Sequence, residues 1–168
     1  MLDADAIIHG LYATEAVKTA LHLHWGDRVF TPAREVDRSE IAAIVFNSED
    51  QRAWLEGLLW PLAAQRQAAF RSELDTRTPQ PRAGVVEVPL LFEAGAAPRF
   101  DVTIAILASD KLRAARLSLR DQTELEARER RQLSQDEKAA RATYRVLNEG
   151  TPEELERTLA EILDTLAA

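Results

Sequence analysis

Gly84-Val85-Val86-Glu87-Val88-Pro89-Leu90-Leu91-Phe92 is a short apolar run bounded by chain breakers, the pattern of a strand buried on both faces of a parallel sheet. A second such run, Asp101-Val102-Thr103-Ile104-Ala105-Ile106-Leu107, ends at Ala108-Ser109-Asp110. Tyr144-Arg145-Val146-Leu147 is a shorter third, closed by Asn148-Glu149-Gly150, and Met1-Leu2 reads as the last step of a fourth. Helical stretches separate them. Strands alternating with helices need crossover connections, which make the sheet parallel. The predicted fold is therefore α/β, a three-layer, doubly wound parallel sheet with helices on both faces.

Working outward from the strands, Ile7, Ile8 and Leu11 form one apolar helical face, and Asp5 is placed to cap that helix. Leu21, Leu23, Trp25, Val29 and Phe30 surround Gly26-Asp27, and His22 and His24 alternate as strand neighbours do. Asp37-Arg38-Ser39-Glu40 opens a helix through Ile41, Ile44, Val45 and Phe46. The next helix starts near Ser48 with Trp54, Leu55, Leu58 and Leu59 inward, and Pro61 is expected to interrupt or restart it. Thr76–Pro81 is a loop, and the charge-rich stretch Lys111–Ala142 is helical. Thr151-Pro152-Glu153-Glu154 supplies a hydroxyl cap, a proline at the first helical position and an acid at the third. The last helix then lines up Leu155, Leu159, Ile162 and Leu166. No repeat or linker divides the chain, so residues 1–168 read as one domain.

Composition narrows the function. The 168 residues carry a net charge of −7, 46% hydrophobic and 29% charged residues, and no cysteine. An acidic chain without a basic stripe is not expected to bind nucleic acid, although a local group of arginines can still serve one anionic substrate. Without cysteine, neither a disulfide framework nor a thiolate zinc site can form. No apolar run approaches the ~20 residues of a membrane span, and no signal peptide is visible at Met1-Leu2-Asp3-Ala4-Asp5. The expectation is a cytoplasmic protein with no membrane partner.

Parallel sheets bind ligands at the carboxyl ends of their strands, where this reading places Asp3 and Asp5, Glu87 with Glu93, and Asn148. Arg113, Arg116 and Arg120 share a helix face through spacings of three and four, and Arg128, Arg130 and Arg131 follow. Acids beside a strand end suit magnesium or a hydroxyl proton, and arginines nearby suit phosphates, so together they point to phosphoryl transfer. Each residue also has a plainer reading: Asp5 as a helix cap, Glu87 as a paired core acid, the arginines as a solvated salt-bridged face, Asn148-Glu149-Gly150 as a turn. His22 and His24 lack a third ligand at usable spacing for a metal site.

The same residues resemble a family, the dephospho-coenzyme A kinases. The match runs through Asp3-Ala4-Asp5-Ala6-Ile7, Val36-Asp37-Arg38, Ile44-Val45-Phe46, Trp54-Leu55, Val88-Pro89-Leu90-Leu91-Phe92-Glu93, Arg120-Asp121, Arg128 with Gln132, Glu137-Lys138 and Asn148-Glu149-Gly150. The resemblance implies a P-loop-kinase-like sheet and ATP-dependent phosphorylation of the ribose 3′-hydroxyl of dephospho-coenzyme A. It implies Asp5 as general base, Asp3 and His9 on the substrate side, Arg116, Arg120 and Arg128 on the ATP side in a lid over 111–142, and Asn148 near the adenine. It further implies Glu87 as a magnesium residue, ATP and Mg²⁺ as cofactors, and an acceptor-binding helical region over about residues 10–80.

The departures are specific. The family places a strand, a Gly-x-x-Gly-Ser-Gly-Lys-Ser/Thr loop and a helix before its acid pair, which stands here at positions 3 and 5. That strand, P-loop and first helix, roughly thirty residues, are expected to be missing as an N-terminal truncation. No Gly-Lys pair occurs among the 168 residues, so little kinase activity is expected of them alone, and self-association through the opened sheet is expected. Trp60 stands where the family usually has a histidine before Pro61. Two other readings stay open: a non-catalytic relative that binds a nucleotide, coenzyme A or a protein, and a kinase of this fold with another acceptor.

Overall fold

In the computed structural model, which describes residues 1–117 and 132–166, the strands pair in two parallel ladders. β1 (Leu2–Asp3) lies beside β2 (Val86–Glu87), and β3 (Ile104–Leu107) beside β4 (Tyr144–Leu147). Each ladder belongs to one of two compact units, Met1–Val88 and Pro89–Ala168. Helices alternate with the parallel strands, the α/β class that the sequence predicts.

The first unit is mostly helical: α1 (Ala4–Tyr12), α2 (Glu15–Trp25), α3 (Arg38–Phe46) and α4 (Glu49–Asp75). Its core is one cluster of Leu11, Val17, Leu21, Val29, Ile41, Leu55, Leu59 and Ala63. Val17, Leu21 and Val29 are wholly excluded from solvent, and burying such a side chain stabilises by about 1.5–3 kcal/mol. That cluster decides two readings that the sequence left wrong or open. Residues 22–24 are helical, because Val17 and Leu21 stand four apart and bury together, which leaves Leu23 81% exposed. Likewise α4 runs straight through Pro61. The stripe Leu55, Leu59, Ala63 continues across the proline and packs inward, and the residue four positions before Pro61, whose carbonyl the ring would crowd, is Gly57.

The strand predicted over 84–92 is short for a related reason. Only Val86–Glu87 pairs, and after Pro89 the chain folds back on itself. Ala94 donates to the Leu90 carbonyl (2.9 Å), Ala96 to Leu91 (2.9 Å) and Gly95 to Phe92 (3.1 Å), with Gly95 at φ 61°, where glycine costs least. Backbone groups bound within a turn cannot join a ladder.

In the second unit, α5 (Asp110–Leu117) follows β3, α6 (Gln135–Arg141) precedes β4, and α7 (Pro152–Leu166) follows it. Two helix starts are closed by capping boxes. The Ser134 hydroxyl accepts from the Glu137 N–H while the Glu137 carboxylate accepts from the Ser134 N–H. Thr151 and Glu154 repeat the exchange, as the sequence predicts.

Glu93 and Lys138 tie the turn to α6. The Glu93 Oε1 accepts from the Leu133 N–H (2.9 Å) and stands 3.2 Å from Lys138 Nζ. Lys138 also donates to the Pro89 carbonyl (3.3 Å) and to Gln132 Oε1 (3.2 Å). The pair is largely buried, with side chains 15% and 21% exposed. Burial pushes the Glu93 carboxyl up, but hydrogen bonds from its own N–H, from Leu133 and from Lys138 outweigh it and hold the group below its usual range.

Two predictions follow from this packing. Leu21→Ala should lower the unfolding free energy by about 2–5 kcal/mol, the cost of a cavity at a fully buried leucine, measured by urea titration. A carboxyl whose folded pKa is depressed stabilises above its ordinary value of about 4.3, and the contribution is lost as pH falls through the folded value. Glu93→Gln should therefore lower stability at neutral pH and flatten its decline on acidification. An unchanged acid limb in that variant would count against the pair's role.

Candidate functional site

The chain turns from β1 into α1 with no intervening loop, and one carboxylate makes the junction. Asp3 is the N-cap of α1: its Oδ1 accepts from the N–H of Asp5 (2.8 Å) and of Ala6 (3.2 Å). The cap predicted at Asp5 is thus made two residues earlier. Asp5 lies in the first helical turn, exposed, and its carboxylate makes no hydrogen bond or ion pair among the described residues. Asp3 is opposite Glu87 in the parallel register, the Leu2 N–H donating to the Val85 carbonyl at 2.8 Å. The acids Asp3 and Glu87 therefore end adjacent strands side by side, at the carboxyl edge where parallel sheets take ligands.

α1 carries two different faces away from this end. His9 stands one turn beyond Asp5 on the same face, and Arg38, the first residue of α3, donates through Nη1 to His9 Nδ1 at 2.8 Å. Tyr12 follows on that face, partly buried. Burial raises the pKa of its phenol, and the positive charge of Arg38 pulls it partly back down. On the opposite face a cleft of about 530 Å³ is bordered by Leu2, Asp3, Ile7 and Gly10, with Arg66 of α4 at its rim.

At the carboxyl ends of β3 and β4, side chains clamp the backbone. The Gln135 amide bonds both ways with Ala108, accepting its N–H and donating to its carbonyl at 2.9 Å each. The Glu149 carboxylate accepts from the Ser109 N–H at 3.1 Å, and the Asn148 N–H donates to the Leu107 carbonyl at 2.7 Å. Asn148 is thereby fixed beside the start of α5. Arg113 on that helix approaches Asp110 at 3.4 Å, an exposed contact worth little in itself. Arg116 also lies on α5, while its side chain and the whole of Arg120 and Arg128 lie outside the described residues.

The two histidines considered for a metal are engaged otherwise. His24 stacks on Trp54 with ring centroids 3.7 Å apart and shares Gln51 Oε1 with the Trp25 indole N–H, and His22 stands 3.3 Å from Asp27. Among the described residues, no group of three or more histidines and acids could hold a metal ion. Nor is any described helix long and apolar enough to cross a membrane.

Sequence reasoning gave no site role to Tyr12, Gln135 or Glu149, and it cited Arg38 only within a motif. A signal for Arg38 was present. An arginine at the first position of a helix faces the positive end of the helix dipole, where acids are favoured, so its placement there calls for a reason other than helix stability.

Known proteins resemble this chain over nearly its whole length. The dephospho-CoA kinase family profile matches residues 1–154. A dephospho-CoA kinase of Geobacter metallireducens is 33% identical over 165 residues, covering 96% of this chain and 79% of that protein. That of Geobacter sulfurreducens is 32% identical over 171 residues, covering 96% and 83%. A crystal structure of a Thermus thermophilus protein superposes with a TM-score of 0.76 at 30% identity, covering 99% of this chain and 84% of that one. A Campylobacter jejuni dephospho-CoA kinase shares the fold with a TM-score of 0.67 at 20% identity. With a family profile matched over nearly its whole length and relatives above 30% identity, this chain belongs to the dephospho-CoA kinase family.

Proposed function

We propose that this chain serves ATP-dependent phosphorylation of the 3′-hydroxyl of dephospho-coenzyme A, with residues 1–88 receiving the acceptor. The observation that carries this reading is the Asp5 carboxylate in the first turn after β1, left without a partner among the described residues because Asp3 takes the capping bonds. In the proposed step Asp5 accepts the proton of the ribose hydroxyl as its oxygen bonds to the γ-phosphorus of ATP. The bond from that phosphorus to the leaving ADP breaks, and the proton rests on Asp5. A positioned general base of this kind contributes ~10²–10⁴ in rate.

Glu87 and Asp3 suit a magnesium ion that takes one or two carboxylates and keeps water and phosphate as its other ligands. When bound, the ion would neutralise charge on the transferring phosphate. On the nucleotide side, Arg116, Arg120 and Arg128 are assigned to the phosphates and Asn148 to the neighbourhood of the adenine, in keeping with the way Asn148 is fixed at the end of β4.

The 168 residues contain no Gly-Lys pair and no glycine-rich phosphate cradle. Losing one transition-state donor typically costs ~10²–10³ in rate, and a whole cradle costs more. These residues by themselves are therefore expected to bind acceptor while transferring phosphate slowly. A second reading is a relative that binds a nucleotide or coenzyme A without catalysis.

The two readings separate experimentally. With radiolabelled ATP, the 168-residue chain should transfer label to dephospho-CoA far below the enzyme median of about 10 per second, and Asp5→Asn should lower that residual rate by ~10²–10⁴ while leaving acceptor binding by calorimetry intact. Acceptor binding with no transfer that depends on Asp5 would favour the non-catalytic reading. Turnover near the median would refute the claim that these residues transfer slowly.

A further inference from the structure

An arginine in this chain has an unusual setting. The protein carries 28 acids against 21 lysines and arginines, so a carboxylate partner is easily supplied. Asp27 takes Arg34, and Asp110 takes Arg113. Arg38 has no carboxylate within ion-pair distance among the described residues, and its hydrogen-bond partner is an imidazole nitrogen. The nearest acid in sequence, Asp37, spends its Oδ1 on the N–H groups of Ser39 and Glu40 (3.0 and 3.2 Å).

The hydrogen bond also defines what His9 offers. Because Nδ1 accepts from Arg38, the single proton of the neutral ring sits on Nε2, which makes that nitrogen a donor. The guanidinium keeps further N–H groups beyond the one spent on His9. Tyr12, on the same face of α1, makes no hydrogen bond through its hydroxyl among the described residues, and the charge of Arg38 acts on its phenol. Three residues, from α1 and the start of α3, thus present more donors than acceptors, since the His9 Nδ1 is already used and the Tyr12 hydroxyl oxygen is the single acceptor left. A surplus of donors is completed by an anion, and a guanidinium fork matches the paired oxygens of a phosphate group.

We infer that Arg38, with His9 oriented against it and Tyr12 alongside, forms a binding site for a phosphate-type anion, and that it receives the diphosphate of the acceptor. The second half of this inference rests on the reading of dephospho-coenzyme A as acceptor; the first half does not. The placement is consistent with that reading, since His9 stands one helical turn from Asp5. An acceptor held there by its diphosphate has its binding anchored apart from the hydroxyl that reacts. Arg38 is on this account a specificity residue, and His9 positions it.

The test uses inorganic pyrophosphate and the histidine ring signals of the intact chain, whose three histidines are distinguished by His9→Gln. The titration is run at constant ionic strength, above about pH 7.5, where imidazoles are neutral. Pyrophosphate should shift the His9 ring signals saturably and leave those of His22 and His24 in place. Arg38→Met should weaken this binding by about ten- to a hundredfold, the cost of a lost charge-assisted hydrogen bond. Arg38→Lys, which keeps the charge and loses the fork, should fall between. Arg66→Met, in α4 at the cleft on the other side of α1, should have no effect. An unmoved His9 ring up to millimolar pyrophosphate, or a loss that follows Arg66 instead of Arg38, would overturn the site. Displacement of pyrophosphate by dephospho-CoA supports the full inference. Pyrophosphate bound at His9 but not displaced by dephospho-CoA would leave the anion site standing, overturn its assignment to the acceptor and count against the acceptor reading.

Discussion

The bond pair from Asp3 Oδ1 to the N–H groups of Asp5 and Ala6 is the constraint on which the acceptor end depends. It lets β1 become α1 without a loop, so the end of the ladder and the first helical turn form one rigid corner. Capping by an aspartate is worth about 0.5–2 kcal/mol, a modest figure for stability alone. Its larger effect is rotational. With the helix phase fixed at Ala4, Leu11 points into the core, Asp5 and His9 stand exposed on one face with Tyr12 partly buried beyond them, and Ile7 and Gly10 border the opposite cleft. A cap one residue later would turn every one of these side chains by about 100°.

The second unit solves a similar problem by other means. Its strands are four residues long, too short to hold their own ends in place, so side chains reach in from the flanks. Gln135 fixes Ala108 and Glu149 fixes Ser109, and the half-buried Glu93–Lys138 pair joins the turn after Pro89 to α6. An ion pair withdrawn from water is seldom a large net stabiliser against well-packed apolar residues. What it supplies here is a defined geometry, because Lys138 distributes its donors among three acceptors, two in the turn at Pro89 and Glu93 and one at Gln132.

Legibility in the sequence followed the range of the interaction. β4 and the start of α7 are visible as local patterns, and they stand where those patterns put them. The parallel pairing follows from alternation of strand and helix, and Asp3 and Glu87 end their strands as that reading expects, whereas Asp5 lies in the first turn of α1. What failed needed knowledge of neighbours. The alternation of His22 and His24 looked like a strand until Val17 and Leu21 were seen to share a core, and Pro61 looked like a break because the Leu55–Leu59–Ala63 stripe is decided by what it packs against. The Arg38–His9 bond spans 29 positions and leaves no trace in any local period.

The acidity of the chain bears on how an anionic substrate can be held at all. A net charge of −7 spread over the molecule acts through water and salt, with a screening length of about 8 Å at physiological ionic strength. A single guanidinium acts on a bound phosphate at contact, where two unit charges 4 Å apart interact by about 1 kcal/mol in bulk water and about 4 kcal/mol near a protein surface. The local term therefore exceeds the global one, provided that the arginine is not already neutralised. A chain rich in acids will neutralise any arginine within their reach, and the usual result is a surface pair of small consequence, as at Arg113 and Asp110. Keeping one arginine for an anion requires that no carboxylate pair with it. At Arg38 that holds among the described residues, where its hydrogen-bond partner is the His9 imidazole and no carboxylate stands within ion-pair distance. The acidic surface then contributes selectivity, since it disfavours an anion everywhere except where a donor set is left open.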